Sequence, residues 1–387
     1  MILQLVPLPG ALVDTISPAL RPTWARLFLR VPTWLPLTVD PPSSAWAALI
    51  GIGTIVIFLS ARRLLNAGAV RFLIRGVTIV GLGVSAIGIA QDATGSGLMY
   101  WHQAPLQEGA PPFGPFVDRN SFATWVLLAA PLCFGYLVAH GRAHRRPGAP
   151  APRWTSRLIG ALDARAILVA ASLTLMIIGL LTTLSRSGMT SLAVAVALGT
   201  YLRGRRKRHQ GVRGSWVMAL CAIGLMLTIA RVDPMILGRR FASARTSAAD
   251  RFVIWRETLP MIRDFWLTGT GAGTYETAML VYQRSSPGVR FNQAHNHYLQ
   301  VVAEGGLLLG LPVLIALVAY AVAAARRVAS DLTGMYWVRA GALCGLAGVL
   351  AQSVWDTGLT APANAVLAAI SAAIVLHPGD GPREPPR

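Results

Sequence analysis

Runs of roughly 20 consecutive apolar residues recur along this chain, and they limit the folds that are open to it. A helix needs about 20 residues to cross the hydrocarbon core of a bilayer, where it satisfies its own backbone hydrogen bonds. Of the 387 residues, 54% are hydrophobic and only 13% are charged. Soluble globular domains have a smaller hydrophobic fraction and a larger charged fraction than this. The sequence therefore predicts an all-α polytopic membrane protein with about 9–10 transmembrane helices.

The basic residues outnumber the acids and give a formal net charge of +19, which could indicate a nucleic-acid partner. They fall, however, in short loops between apolar runs, where they set membrane orientation, so we predict no nucleic acid. Lys207 is the only lysine, which is typical of a GC-rich bacterial genome. The three cysteines, Cys133, Cys221 and Cys344, lie inside separate apolar runs and indicate packing, with neither a disulfide nor a metal site.

The distribution of arginine predicts a topology by the positive-inside rule. The basic loops 140–165 and 203–213 face the cytoplasm, and a large loop lies on the outer, periplasmic side. Nine spans place the N-terminus outside and the C-terminus inside. This arrangement needs either a tenth, weakly hydrophobic span or a start codon placed too late, and both alternatives stay open. The predicted segments are a periplasmic or interfacial N-terminal segment (1–43), six transmembrane helices (44–230), the large outer loop (231–294), three more transmembrane helices (295–376) and a disordered cytoplasmic tail (377–387).

The outer loop 231–294 carries nine arginines against five acids. Long loops escape the orientation rule, so this excess is available for a function. The alternative is a solvated loop in which the arginines pair with those acids. Arg186 is a separate case, because it lies in a tight turn between two spans. An unpaired guanidinium there costs about 2.5–3.5 kcal/mol, which predicts an anionic partner or an aqueous cavity, unless the side chain extends to the headgroups.

A polar cluster, residues 293–298, precedes the longest apolar run. A neutral histidine at an outer face can accept a proton from a hydroxyl, so His295 is the candidate base. In the alternative reading, His295 stacks on Leu299 one turn later along a helix that Asn296 caps. The glycine run 269–273 lacks the lysine of a phosphate-binding loop and follows no clear strand, so we predict a turn that lets Tyr275 and the next helix pack.

Several short motifs follow one another along residues 114–310 at the edges of predicted spans. They are Asn120-Ser121-Phe122-Ala123, Ser185-Arg186-Ser187-Gly188, Arg251-x-x-x-Trp255, Gly269-Thr270-Gly271-x-Gly273-Thr274-Tyr275, and His295-Asn296-x-x-Leu299 before Glu304 and Gly306. In this order and membrane placement the chain resembles the O-antigen ligase and polymerase superfamily. The resemblance implies a GT-C-like fold whose large periplasmic loop is catalytic, in the bacterial inner (cytoplasmic) membrane. It also implies transfer of a glycan from undecaprenyl diphosphate to an acceptor hydroxyl.

The resemblance carries roles over to individual residues. Arg186 and Arg251 match arginines that stabilise the leaving diphosphate, which implies an inverting reaction without a metal or other cofactor. His295 matches the catalytic base. The weaker candidates for substrate binding are Arg119, Asn120, Arg290, Asn296 and Tyr298. The acceptor is lipid A core or a growing O-antigen or exopolysaccharide, which the motifs do not separate. The competing functions are a transporter or flippase for polysaccharide intermediates and a non-catalytic membrane scaffold.

Overall fold

A computed structural model of the chain describes residues 1–95, 97–104, 112–143, 163–210, 250–285 and 288–377. Within these residues it confirms the all-α polytopic prediction. The described residues form twelve α-helices, besides two short 3₁₀ turns and a two-residue antiparallel ladder that pairs Leu8–Pro9 with Trp34–Leu35. Five of the described helices are long and apolar enough to cross a membrane, namely Pro41–Leu64, Ala67–Ala93, Arg119–Ala143, Ala164–Thr182 and His297–Ser330.

The helices are numbered in chain order. They are α1 (Gly10–Ile16), α2 (Leu20–Leu27), α3 (Pro41–Leu64), α4 (Ala67–Ala93), α5 (Arg119–Ala143), α6 (Ala164–Thr182), α7 (Arg186–Gln210), α8 (250–264), α9 (Tyr275–Tyr282), α10 (His297–Ser330), α11 (Tyr336–Gln352) and α12 (Pro362–Leu376). Helix α7 continues into the predicted loop 203–213, since arginine, lysine and glutamine favour helix as strongly as most apolar residues do. The predicted span 215–230 and Cys221 lie outside the described residues.

The chain divides into two compact units. The first unit comprises Met1–Val56, Asp233–Val322 and Ser353–Thr357. Its described residues share one core, in which Val13, Leu20 and Leu35 from the N-terminal segment pack with Met261 of α8 and Tyr275 of α9. The N-terminal segment thus folds together with part of the outer loop, a partnership that hydropathy does not predict. Its contact with lipid headgroups stays a prediction.

The second unit comprises Ile57–Val232, Ala323–Gln352 and Gly358–Arg387. Helices α5 and α11 pack with their backbones in direct contact. A Cβ on Gly135 would collide with the carbonyl of Trp337, and a Cβ on Gly341 would collide with the carbonyl of Pro131. Small residues are what allow so close an approach of two membrane helices. At the end of α12, His377 is buried and its carbonyl accepts a hydrogen bond from Arg339. The rest of the predicted tail lies outside the described residues.

Helix α10 is interrupted at Gly306, where φ is 55° and ψ is −157°. Only glycine adopts this backbone region at low cost. The interruption divides α10 into a short polar segment, which begins at His297, and the long apolar span that follows. Hydropathy alone predicts one span through this position and does not predict the interruption.

Candidate active site

The glycine run 269–273 lies against the interruption in α10 and forms backbone hydrogen bonds with it. The amide of Thr270 donates to the carbonyl of Ala303 at 3.0 Å, and that of Gly271 donates to the carbonyl of Glu304 at 3.0 Å. A Cβ on Gly269 would collide with the Glu304 carbonyl. The run is therefore the packing turn that the sequence predicts. Its glycines allow the loop backbone to approach the helix backbone.

The carboxylate of Glu304 binds the backbone amides at the start of α9. It accepts hydrogen bonds from the amides of Gly273, at 2.8 Å, and Tyr275, at 3.3 Å. A negative charge is stabilising beside the unpaired N–H groups of a helix N-terminus. The Tyr275 hydroxyl in turn pairs with Thr258 of α8 at 2.7 Å, and burial raises the pKa of Tyr275 to about 12. Glu304 thus connects α10 to α9, and Tyr275 connects α9 to α8.

His295 lies at a turn just before α10, with a positive φ of 48°. Non-glycine residues seldom adopt this left-handed conformation, and those that do cluster at functional sites. Asn296 caps the helix, because its side-chain oxygen accepts a hydrogen bond of 3.0 Å from the amide of Leu299. The predicted cap is confirmed. The predicted stacking of His295 on Leu299 is wrong, since His295 precedes the helix.

Three hydrogen bonds hold the backbone on either side of His295. The Trp255 indole donates to the carbonyl of Ala294 at 2.9 Å, and the amide of Ala294 donates to the side chain of Gln300 at 3.1 Å. On the other side, the amide of His297 donates to the carbonyl of Ser353 at 2.8 Å. These bonds fix the backbone from which the His295 side chain projects, and acid–base chemistry depends on such positioning.

Residues 353–357 are a part of the site that sequence reasoning missed. They run antiparallel to residues 293–297, because Thr357 is hydrogen-bonded to Gln293 while Ser353 accepts from His297. The ring of Trp355 packs against that of Trp255 at a tilt of 34°, with ring centroids 5.6 Å apart, and the neighbouring carboxylate, Asp356, is buried. Asp356 is the single acid between two apolar helices, which is the sequence signal that could have found it.

Arg251 and Trp255 share one face of α8, since residues four apart are neighbours on a helix. Arg251 is partly buried there, and Trp255 contacts the residue that precedes His295. Beside them lies an open groove of about 360 Å³, lined by Phe252, Trp255, Arg256, Leu259, Asn296 and Leu299. Arg251, His295 and Asn296 therefore belong to one continuous part of the first unit.

Arg186 and Asn120 belong to the second unit. Arg186 is the first residue of α7 and is partly buried. Ser185 caps this helix through a hydrogen bond from the amide of Gly188 at 3.2 Å, and its hydroxyl donates to the side chain of Asn120 at 2.8 Å. Leu184, just before them, has a positive φ of 51°. The hydrogen bond between Ser185 and Asn120 thus holds the turn that carries Arg186 against α5. It brings together the two sequence motifs that contain residues 120 and 186.

A network of buried polar side chains supports this turn, and the sequence analysis overlooked it. Thr124 donates to the side-chain oxygen of Gln352 at 2.9 Å, and Gln352 donates to the carbonyl of Asn120 at 3.3 Å. Asn364 donates to the carbonyls of Ser121 and Gly358. Isolated polar residues within membrane helices are expensive to bury and mark functional regions. That rule could have identified Gln352 and Asn364.

The other predicted substrate-binding residues lie at the edges of these two regions. Arg290 is exposed on the segment that leads to His295, and the Tyr298 side chain is 41% exposed in the first turn of α10. Arg119 begins α5, next to Asn120. Within the described residues there is no group of three histidine, cysteine, aspartate or glutamate side chains that could hold a metal ion. Cys133 and Cys344 are buried, as packing residues are.

The long apolar helices define the class of protein, which is a multi-pass helical membrane protein. Residues 171–314 match the family model described as O-antigen ligase, a range that contains Arg186, Arg251 and His295. Over these residues the chain is similar to O-antigen ligases, which confirms the resemblance to the ligase and polymerase superfamily. Its general activity is glycan transfer of the ligase or polymerase type. No curated protein matches the chain.

Proposed function

We propose that this protein transfers a glycan from an undecaprenyl-diphosphate carrier to an acceptor hydroxyl at the periplasmic face of the bacterial inner membrane. The observation that carries the proposal is the immobilised turn at His295, which lies within the O-antigen ligase match beside the helix face of Arg251. A histidine kept in a left-handed turn by bonds on both sides is unusual for a structural residue.

In this mechanism His295 accepts the proton of the attacking sugar hydroxyl. The oxygen forms a bond to the anomeric carbon, and the bond from that carbon to the diphosphate breaks. Attack from the face opposite the leaving group inverts the anomeric centre. Asn296 remains committed to the helix cap through its side-chain oxygen, so its amide N–H groups are the part available to a substrate.

Arg186 and Arg251 stabilise the leaving diphosphate in this proposal. Negative charge grows on the diphosphate in the transition state, and fixed guanidinium groups can bind two phosphate oxygens at once. Arg186 also lies in the first turn of α7, where the helix dipole favours binding of an anion. With two arginines in this role, the reaction needs neither a metal nor another cofactor, and inversion follows from a single displacement.

The proposal is tested with the purified full-length protein in proteoliposomes that contain an undecaprenyl-diphosphate-linked glycan and an acceptor. We expect transfer to continue in excess chelator, and to stop in Arg186→Gln and Arg251→Gln. Arg284→Gln is the matched control, since Arg284 is an exposed arginine of the same loop. A requirement for Mg²⁺ or Mn²⁺ that add-back restores would refute the role of the arginines. Transfer from a nucleotide sugar alone would refute the lipid carrier.

The products of a deletion strain distinguish ligation from polymerisation. If the acceptor is lipid A core, the strain makes full-length glycan that stays unattached to core. If the acceptor is a growing chain, the strain makes single repeat units. Either pattern agrees with glycan transfer, and unchanged lipopolysaccharide and exopolysaccharide would contradict it. Accumulation of donor on the cytoplasmic side would favour the flippase instead.

A further inference from the structure

Helix α8 has two faces of different character. One face packs in the core of the first unit through Ile254, Met261 and Phe265. The other face is exposed, forms one wall of the open groove beside Asn296, and carries bulky apolar residues alternating with arginines, an arrangement that we name the α8 stripe. At about 100° per residue its members fall within an arc of about 80°. The α8 stripe consists of Phe252, Arg256, Leu259, Arg263 and Trp266, the last in the turn that ends the helix.

The exposure of the α8 stripe is large for apolar side chains. Phe252 is 55% exposed, Leu259 is 56% exposed and Trp266 is 59% exposed. An apolar patch of this kind, interrupted by positive charges, marks a surface that another molecule covers. Neither Arg256 nor Arg263 forms an ion pair within the described residues. Both guanidinium groups are therefore available to an anion.

The end of the α8 stripe coincides with the beginning of the long apolar span. The amide of Leu307 donates to the carbonyl of Trp266 at 2.8 Å, and the amide of Leu308 donates to the carbonyl of Leu267 at 3.0 Å. Beyond Leu307 the span is almost entirely exposed, with 6% of its most apolar window buried. Such a surface faces lipid in a membrane protein. Trp266 thus lies at the level where the lipid-facing surface starts.

We propose that the α8 stripe lies on the membrane surface and binds the headgroups of anionic phospholipids through Arg256 and Arg263. The apolar side chains insert at the boundary of the acyl chains, where tryptophan is the preferred aromatic residue. The guanidinium groups bind headgroup phosphate in the forked geometry that arginine provides. The continuity with the apolar span and the positive charge together select a lipid over a soluble partner.

Such an anchor would fix the height of the catalytic elements above the bilayer. Trp255 lies on α8 one residue before Arg256, and it contacts Ala294 beside His295. The lipid contact at the α8 stripe is thus transmitted through one helix to the candidate base. The binding of phospholipid does not depend on the identity of the glycan donor.

The test uses a nitroxide label on Leu259→Cys in the full-length protein with its native cysteines replaced. The protein is reconstituted in phosphatidylcholine vesicles with or without phosphatidylglycerol. Collisions with oxygen report the apolar phase, and collisions with an aqueous nickel chelate report water. A label on Glu276→Cys is the reference, since Glu276 is an exposed acid on α9. The charge test compares the Arg256→Gln/Arg263→Gln double variant with the matched control Arg284→Gln.

We expect the label at position 259 to be protected from the nickel chelate, and more so with phosphatidylglycerol. Each arginine near an anionic surface contributes roughly fivefold to the partitioning of the helix. The double variant should lose this dependence on lipid charge, while Arg284→Gln should keep it. High salt should weaken the dependence by screening.

Three results would overturn the proposal. The first is a label at position 259 that is as accessible to the nickel chelate as the label at 276. The second is protection that neither phosphatidylglycerol nor the double variant changes, because the arginines would then bind no headgroup. The third is dipolar broadening between labels, since a second copy of the chain would then cover the α8 stripe.

Discussion

The indole Nε1 of Trp255 donates a hydrogen bond of 2.9 Å to the carbonyl oxygen of Ala294, 39 residues further along the chain. This bond joins two motifs that are separate in the sequence, Arg251-x-x-x-Trp255 and His295-Asn296. It fixes α8 to the residue just before the candidate base, and the ring of Trp355 packs against the same indole. In the mechanism we propose, this motif contributes both a charge for the substrate, at Arg251, and an anchor for the histidine turn, at Trp255.

Replacement of the indole tests this anchoring role. Trp255→Phe keeps a ring against Trp355 but leaves the Ala294 carbonyl without its donor, at a cost of about 1 kcal/mol. We expect kcat for glycan transfer to fall roughly tenfold with little change in KM, because the histidine turn loses its alignment. Trp46→Phe is the control, since Trp46 is 63% exposed on α3. An unchanged kcat in Trp255→Phe would show that the turn holds its shape without the indole.

The interruption of α10 gives a stability prediction. Gly306→Ala forces an alanine into a region that only glycine favours, and its Cβ would lie 2.5 Å from the Gly269 nitrogen and from the Leu267 oxygen. We expect destabilisation of at least about 3 kcal/mol, measured as a lower melting temperature in detergent.

Gly310→Ala is the matched control, because its Cβ would meet nothing nearer than Val302 at 3.9 Å. Alanine in that helix interior should raise the melting temperature slightly, by the equivalent of about 0.5–1 kcal/mol. Equal melting temperatures for the two variants would mean that the contact between the glycine run and α10 contributes nothing to stability.

Local patterns predicted much of this fold, whereas contacts between distant segments were not predictable. The cap at Asn296 follows from a short-range rule, and so does the reading of residues 269–273 as a packing turn. The side chain of Gln4, in contrast, donates to the carbonyls of Thr268 and Glu304, and no periodicity connects positions that far apart. Hydropathy also concealed the interruption at Gly306, because the residues before it, apart from Gln300 and Glu304, are apolar enough to extend the predicted span.

The error at the histidine motif has a physical cause. Helical periodicity places His295 on the same helix as Leu299, one turn before it. A residue with φ of 48° cannot continue a helix, so His295 lies outside the helix and the predicted stacking fails. A charge beside an apolar run has few acceptable environments, and this rule is what selects Arg186 from the sequence. Asp356 and Gln352 obey the same rule and could have been found with it.

The topology remains to be tested by labelling. The large loop 231–294 should face the periplasm, and the loops 140–165 and 203–213 the cytoplasm. In intact spheroplasts an impermeant thiol reagent should modify Gly288→Cys, at an exposed position of the large loop, and leave Gly211→Cys unmodified. Permeabilised cells are the control, in which both positions should react. Modification of position 211 in intact spheroplasts would reverse the orientation.

The most decisive substitution is His295→Asn, which removes the imidazole and preserves the turn. Asparagine tolerates a positive φ better than alanine does, so the left-handed conformation at residue 295 should survive. If His295 is the general base, turnover should fall by about 10²–10⁴-fold while melting temperature and donor binding stay unchanged. His297→Ala is the comparison, because the ordered contact of His297 with Ser353 is made by its backbone amide, which alanine retains. We expect that variant to keep most of its turnover. Near-normal transfer in His295→Asn, or equal losses in the two variants, would remove His295 from the chemical step and leave its turn a purely structural feature.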